Sequence, residues 1–178
     1  MDSVPLARLL LLAFLAGACA APAPTPTATP TAPPTATPTA TPTPDRLDAG
    51  LATVGIEVGR GRFTAVVVDT PVLRARGLSG RDVLAPSRAM WFDMGVEAPA
   101  TFWMRGMRFP IDIVWVDVDL RVVHVTHEAP APPEGASEAG LPRYTPGDID
   151  VRYVLEINAG LARELGIEPG VLVMLTEP

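Results

Sequence analysis

Residues 100–119, ATFWMRGMRFPIDIVWVDVD, form the most apolar and most aromatic stretch of the chain, and they constrain its fold more than any other part. A strand over residues 111–117 would be apolar on both faces. One face would carry Ile111, Ile113 and Trp115, and the other Asp112, Val114 and Val116. Such a strand belongs in the centre of a sheet or in a closed barrel, because water would otherwise cover apolar side chains.

Short apolar runs alternate with turns from residue 56 to the end of the chain, which predicts seven or eight short strands. One of these is expected over residues 101–105, with Trp103 and Arg105 on the same face. Thr70-Pro71 predicts a helix start, and a second short helix is expected over residues 161–165. The pattern predicts an α+β, mostly β fold: a single small curled sheet or β-barrel-like domain with two short helices.

The first 18 residues have the features of an export signal. Arg8 precedes LLLLAFL, an apolar run too short to span a bilayer, and small residues follow it. Cys19, the only cysteine, follows AGA in a pattern that resembles the bacterial lipoprotein cleavage box, where the cysteine carries lipid. We therefore expect a lipid-anchored protein outside the cytoplasm. Ordinary secretion is the alternative, since the same small residues satisfy the general cleavage rule.

Residues 22–44 contain only Pro, Thr and Ala, a composition that cannot bury apolar surface and favours an extended spacer. The predicted organisation is a signal peptide over residues 1–18 and a lipidated, disordered linker over residues 19–44. A lead-in over residues 45–55 then precedes a β-rich globular domain over residues 56–178.

The net charge of −6 and the complete absence of lysine argue against nucleic acid as a partner. The partners expected from sequence are the membrane, reached through lipid on Cys19, and either a small polar ligand or an envelope protein. His124 and His127 would lie on opposite faces of a strand, so they predict no metal site. No cofactor is predicted.

Three blocks of sequence resemble the signature of domain-of-unknown-function family 192: RGLSGR at residues 76–81, FWMRGMRFPIDIVWVD at residues 102–117, and RYVLEINAG at residues 152–160. They occur in the family's order and cover most of the globular part. Ala89 stands where the family usually has glycine, and Arg105-Gly106 stands where it often has Lys-Asn. The resemblance implies a compact β-rich domain that is often exported or lipid-anchored, and it implies no particular activity.

Polar side chains set in or beside apolar strands are the candidate functional residues, because a buried charge needs a partner or a purpose. They are Arg81, Trp103, Arg105, Asp112, Glu156 and Asn158. In one interpretation they line a pocket, with arginines for a carboxylate or phosphate and Trp103 as an aromatic wall. In the other they form a structural network, with Arg105 bound to Asp112 and Arg81 to Glu156.

The sequence assigns no catalytic residue, since no Gly-x-Ser-x-Gly elbow or other nucleophile–base pair is recognisable. The leading hypothesis is an exported domain that binds a small polar ligand or an envelope partner. The alternatives are a small envelope enzyme that uses Asp112 or Glu156 as acid or base, and a purely structural accessory domain.

Overall fold

The computed structural model describes Asp48 and residues 50–178. The predicted export signal, the lipidation site at Cys19 and the spacer lie outside these residues and stay predictions. The described part contains β1 (Thr53–Val58), β2 (Gly61–Val68), α1 (Pro71–Arg76), β3 (Arg88–Ala98), β4 (Ile111–Val116), β5 (Val122–Ala129), β6 (Val151–Asn158), α2 (Leu161–Leu165) and β7 (Val173–Thr176). None of the helices in this part of the chain has the length and apolar character needed to cross a membrane.

The seven strands form one sheet in the order β5-β4-β6-β3-β2-β1-β7. Neighbouring strands are antiparallel except β2 and β3, which are parallel and connected through α1. The two ends of the sheet approach each other: Val173 donates its N–H to the carbonyl of Leu120 at 2.8 Å, and Arg121 forms a β-bridge with Leu172. The sheet is therefore a curled half-barrel, and the predicted mostly β fold with two short helices is confirmed.

The strand β4 is buried along its whole length and separates two apolar cores. Val114 and Val116 pack with Ala162 of α2 on one side of the sheet, which we call the α2 face. Ile113 and Trp115 pack into the core on the opposite face. The predicted division of this strand into two apolar faces is confirmed, and its position between β5 and β6 explains why both faces are covered.

Asp112 is the charged residue of β4, and its carboxylate is fully buried. One oxygen accepts the backbone N–H of Ala162 at 2.8 Å, and the other accepts the N–H of Glu128 at 2.7 Å. Gly160, the residue that precedes α2, supplies no side-chain cap. Asp112 on β4 therefore caps the first turn of α2 by accepting a free backbone N–H, and it also fixes the end of β5.

The predicted strand over residues 101–105 is wrong. Only Phe102 makes strand-like contacts there, exchanging two 2.9 Å backbone hydrogen bonds with Tyr144. Met104 and Met107 are buried in the core opposite the α2 face. The alternation in the sequence is present, but β4 already has partners on both sides. The segment therefore crosses over the sheet as a cover and does not join it.

Candidate ligand-binding site

A cavity of about 180 Å³ lies on the face of the sheet opposite α2. The helix α1 and the turn after it contribute to its lining, as do β3, β6 and residues 101–107. Its apolar lining consists of Ala75, Leu78, Phe92, Met94, Phe102, Trp103 and Met107. Its polar side chains are those of Arg74, Arg76, Ser79, Thr101, Arg105 and Glu156. The arrangement combines an aromatic wall with a few converging polar groups, as small-molecule sites do.

Two backbone turns that border the cavity are held against each other. Gly80 donates its N–H to the carbonyl of Gly106 at 2.9 Å, and the Ser79 hydroxyl donates to the carbonyl of Arg105 at 2.6 Å. Gly106 has a φ of 69°, and a Cβ there would lie 3.2 Å from the Cβ of Ser79. Glycine at position 106 therefore allows this close approach. The glycine-bracketed RGLSGR block thus ties the turn after α1 to the segment above the cavity.

Glu156 is the acidic residue of the cavity lining. It lies in β6 between Met90 of β3 and Ile113 of β4, and it is 6% exposed. Its Oε2 atom has no hydrogen-bond partner among the described residues. Burial raises the pKa of Glu156 to about 8, and the nearby positive charge of Arg81 opposes that rise. The side chain is therefore mainly protonated at neutral pH and has a proton to donate in a hydrogen bond.

Arg81 is buried beside this site, and its guanidinium binds both carboxylate oxygens of Asp48. The Nη1 atom of Arg81 lies 2.9 Å from Oδ2 of Asp48. The structural interpretation paired Arg81 with Glu156, but the bidentate ion pair is with Asp48, and Arg81 acts on Glu156 through its charge. Two parallel hydrogen bonds of this kind make Asp48 the direct partner of the Arg81 guanidinium.

Arg105 lies at the cavity's edge, and its side chain is 41% exposed. It reaches Glu138 at 3.3 Å, whereas Asp112 is hydrogen-bonded to backbone N–H groups of Glu128 and Ala162. Arg105 and Asp112 therefore do not form the ion pair that the structural interpretation predicted. The pair would require Arg105 to reach a carboxylate that packs towards α2. Arg105, Gly106 and Glu138 also line two neighbouring surface depressions, which we call the groove.

Aromatic rings form much of the wall. Phe102 packs edge-on against Phe92 and Trp115, with ring centroids 4.9 and 5.4 Å apart. The guanidinium of Arg143 lies 3.8 Å from the centroid of Trp103, and that of Arg105 lies 5.0 Å from it. These contacts hold the wall in place.

The structure brings together three of the six residues that the sequence singled out, namely Trp103, Arg105 and Glu156. Asn158 instead donates its side-chain N–H to the carbonyl of Leu84 at 2.9 Å. Sequence reasoning missed the cavity residue Phe102 and the Arg81 partner Asp48. The aromatic character of Phe102 was a usable signal, whereas nothing in the sequence connected Asp48 with Arg81, 33 positions away. Among the described residues, no group of three or more His, Cys, Asp or Glu side chains could hold a metal.

The fold and the sequence blocks described above place the chain in a known class of domain. A sequence model of the DUF192 family, described as uncharacterized ACR, matches residues 53–175. The chain belongs to this family.

Solved structures of other proteins share the fold, among them the following two. A protein from Sinorhizobium meliloti 1021, for which a transcription-regulator role has been suggested, is 25% identical with a TM-score of 0.62. The match covers 70% of this chain and 95% of that one. A protein of unknown function from Novosphingobium aromaticivorans DSM 12444 is 31% identical with a TM-score of 0.59, over 70% of this chain and 84% of that one. No curated protein matches the chain.

Proposed function

We propose that this chain is an exported, lipid-anchored DUF192 protein whose domain binds a small polar ligand in the cavity beside Glu156. The observation that carries the proposal is the Glu156 carboxyl group, which is more than nine-tenths buried, lines a cavity and leaves Oε2 without a protein partner among the described residues. A buried polar atom without a hydrogen bond destabilises a fold by about 1–3 kcal/mol. A ligand that supplies the missing partner would remove that penalty.

The size of the cavity limits the ligand. About 180 Å³ suits a single six-membered ring with short substituents; an apolar protein cavity of about 150 Å³ is known to accept benzene. Drug-sized ligands occupy larger clefts, from about 300 Å³ upwards. The groove beyond Arg105 provides room for a substituent that stays in contact with water.

Fragment binding tests the proposal. Saturation-transfer NMR on the purified protein, with a library of neutral, anionic and cationic single-ring fragments, should identify binders. The Glu156→Leu variant should weaken these binders, because leucine removes the polar group. Glu164→Leu on the exposed surface of α2 is the matched control and should bind as the parent protein does. A library without binders, or binders insensitive to Glu156→Leu, would contradict a ligand site here.

Acid–base catalysis by Glu156 is the second candidate, since a carboxyl group with a pKa near 8 is suited to proton transfer at neutral pH. Asp112 does not support this candidate, because both its oxygens already accept backbone hydrogen bonds. Turnover of a bound fragment that disappears in Glu156→Gln, with binding retained, would favour the enzyme over the binding protein.

The export part of the proposal rests on the sequence before residue 45. Substitution of Cys19 with alanine should move the protein from the membrane fraction to the soluble envelope fraction, because the lipid attachment atom is lost. Unchanged membrane fractionation of the variant would defeat the lipid-anchor proposal and leave the cavity proposal intact.

A further inference from the structure

The charged side chains that line the cavity are unusual for this chain. Three are arginines, Arg74, Arg76 and Arg105, and one is acidic, Glu156. The whole chain carries a net charge of −6, so the cavity concentrates positive charge on an acidic protein. A local field of this sign favours an anionic ligand and disfavours a cation.

The protein contacts of Arg74 and Arg105 do not cancel the positive charge of these two side chains. The Arg74 guanidinium donates to the backbone carbonyls of Asp69 and Asp93 at 2.6 and 2.7 Å. These acceptors are neutral, so they orient Arg74 and do not cancel its charge. Arg105 does meet an acid, Glu138, but the two side chains are 41% and 62% exposed. An exposed pair of this kind is weak enough for a ligand to compete with it.

The aromatic wall gives no comparable site for a cation. Trp103 is the strongest cation–π partner in the cavity lining, and the Arg143 guanidinium already lies 3.8 Å from its ring centroid. A ligand ammonium would meet that charge as well as those of Arg74 and Arg105.

We propose that the ligand is a small organic carboxylate with an apolar body, whose anionic group binds at Arg105 and whose other end places a neutral oxygen on the Glu156 carboxyl group. This inference rests on the proposed function and names the ligand class for the same cavity. The apolar body would contact Phe92 and Phe102. The protonated carboxyl group of Glu156 donates to the neutral oxygen, and the guanidinium of Arg105 donates to the carboxylate.

Three probes of matched shape test the charge: 4-(hydroxymethyl)benzoate, 4-(hydroxymethyl)benzamide and 4-(hydroxymethyl)benzylamine. Calorimetric titration of the purified protein should give an affinity for the benzoate at least about tenfold above that for the benzamide, the usual gain from hydrogen bonds to a charged group. The benzylamine should bind more weakly still. An amide or amine that binds as tightly as the benzoate overturns the inference and leaves the proposed ligand site standing.

Two protein variants test the position of the anion. Arg105→Gln should weaken the benzoate about tenfold and leave the benzamide nearly unchanged, because only the charged contact is lost. Arg163→Gln is the matched control: Arg163 is also an exposed arginine paired with an acid, Glu128, and it is absent from the linings of the cavity and the groove. Equal losses in the two variants would show a general charge effect and overturn the placement at Arg105.

The contact with Glu156 is tested by removing the neutral oxygen from the probe. 4-Ethylbenzoate should bind the parent protein about tenfold more weakly than 4-(hydroxymethyl)benzoate, and the two should bind Glu156→Leu equally. Glu156→Gln keeps a donor and should keep the preference. A preference that survives in Glu156→Leu overturns this contact. Failure of every probe in the parent protein overturns the inference, and the fragment screen then decides separately whether the cavity binds ligands.

Discussion

Asp112 and Glu156 lie on the neighbouring strands β4 and β6, and both are buried, with exposures of 0% and 6%. They belong to opposite faces of the sheet. Asp112 accepts hydrogen bonds from Ala162 and Glu128, whereas Glu156 leaves Oε2 unpartnered among the described residues. The comparison teaches that burial alone does not identify a functional acid. A buried acid is a better functional candidate when the protein itself leaves an oxygen of its carboxyl group without a hydrogen bond.

The largest predicted effect is at Asp112. Asp112→Ala removes the acceptors of two backbone N–H groups in the interior, and each hydrogen bond to a charged group contributes about 1.5–3 kcal/mol. We expect the free energy of unfolding to fall by roughly 3–6 kcal/mol. Urea unfolding monitored by circular dichroism measures it, with Asp119→Ala at an exposed turn as the control. A loss below about 1 kcal/mol would mean that Asp112 is no anchor.

Asp112 is expected to stabilise the fold, whereas ionised Glu156 is expected to destabilise it. The dependence of the free energy of unfolding on pH tests this. Its pKa of about 8 in the folded protein lies far above its value in the unfolded chain, so between these values the folded state holds one proton more. Rising pH then favours unfolding, by about 1.4 kcal/mol per pH unit from this group, starting near the ordinary glutamate pKa of about 4.3 and ending near pH 8.

The Glu156→Gln variant isolates this contribution because glutamine does not titrate. Denaturant unfolding of the parent and the variant at intervals from pH 5 to pH 9 should show the variant gaining relative stability up to about pH 8 and no further. A difference that does not change with pH would show that Glu156 titrates normally, and the contrast with Asp112 would then disappear.

The sequence predicted the architecture well where the apolar pattern had a single solution. Two-sided apolarity placed β4 inside a sheet, and Thr70-Pro71 marked the start of α1. The prediction from sequence failed at residues 101–105. There, the same alternation of side chains is compatible with a strand in a sheet and with an irregular segment that packs over a sheet. Periodicity records which side chains are buried, but it does not say whether the backbone finds a strand partner.

The candidate site was less predictable, because it depends on pairings between distant residues. Polar residues in apolar surroundings correctly drew attention to Glu156 and Arg105, and the resemblance of the surrounding blocks to family 192 agrees with the family match. The partners could not be read from spacing. The partner of Arg81 is Asp48, which lies in a segment that was expected to be a simple lead-in. The partner of Arg105 is Glu138, which lies between β5 and β6.

The smallest predicted effect compares the starts of the two helices. In α1 the cap is local: the Thr70 hydroxyl accepts the N–H of Leu73 at 3.3 Å at an exposed site. In α2 it comes from Asp112 on β4. Thr70→Ala should lower the free energy of unfolding by about 1 kcal/mol or less, since water can replace the lost acceptor. Thr70→Ser, which keeps the acceptor, is the control for the same urea measurement. If Thr70→Ala lowered the free energy of unfolding as much as Asp112→Ala, exposure to solvent would not explain how much each cap stabilises the protein. The buried acceptor on β4 would then contribute no more to stability than the exposed one.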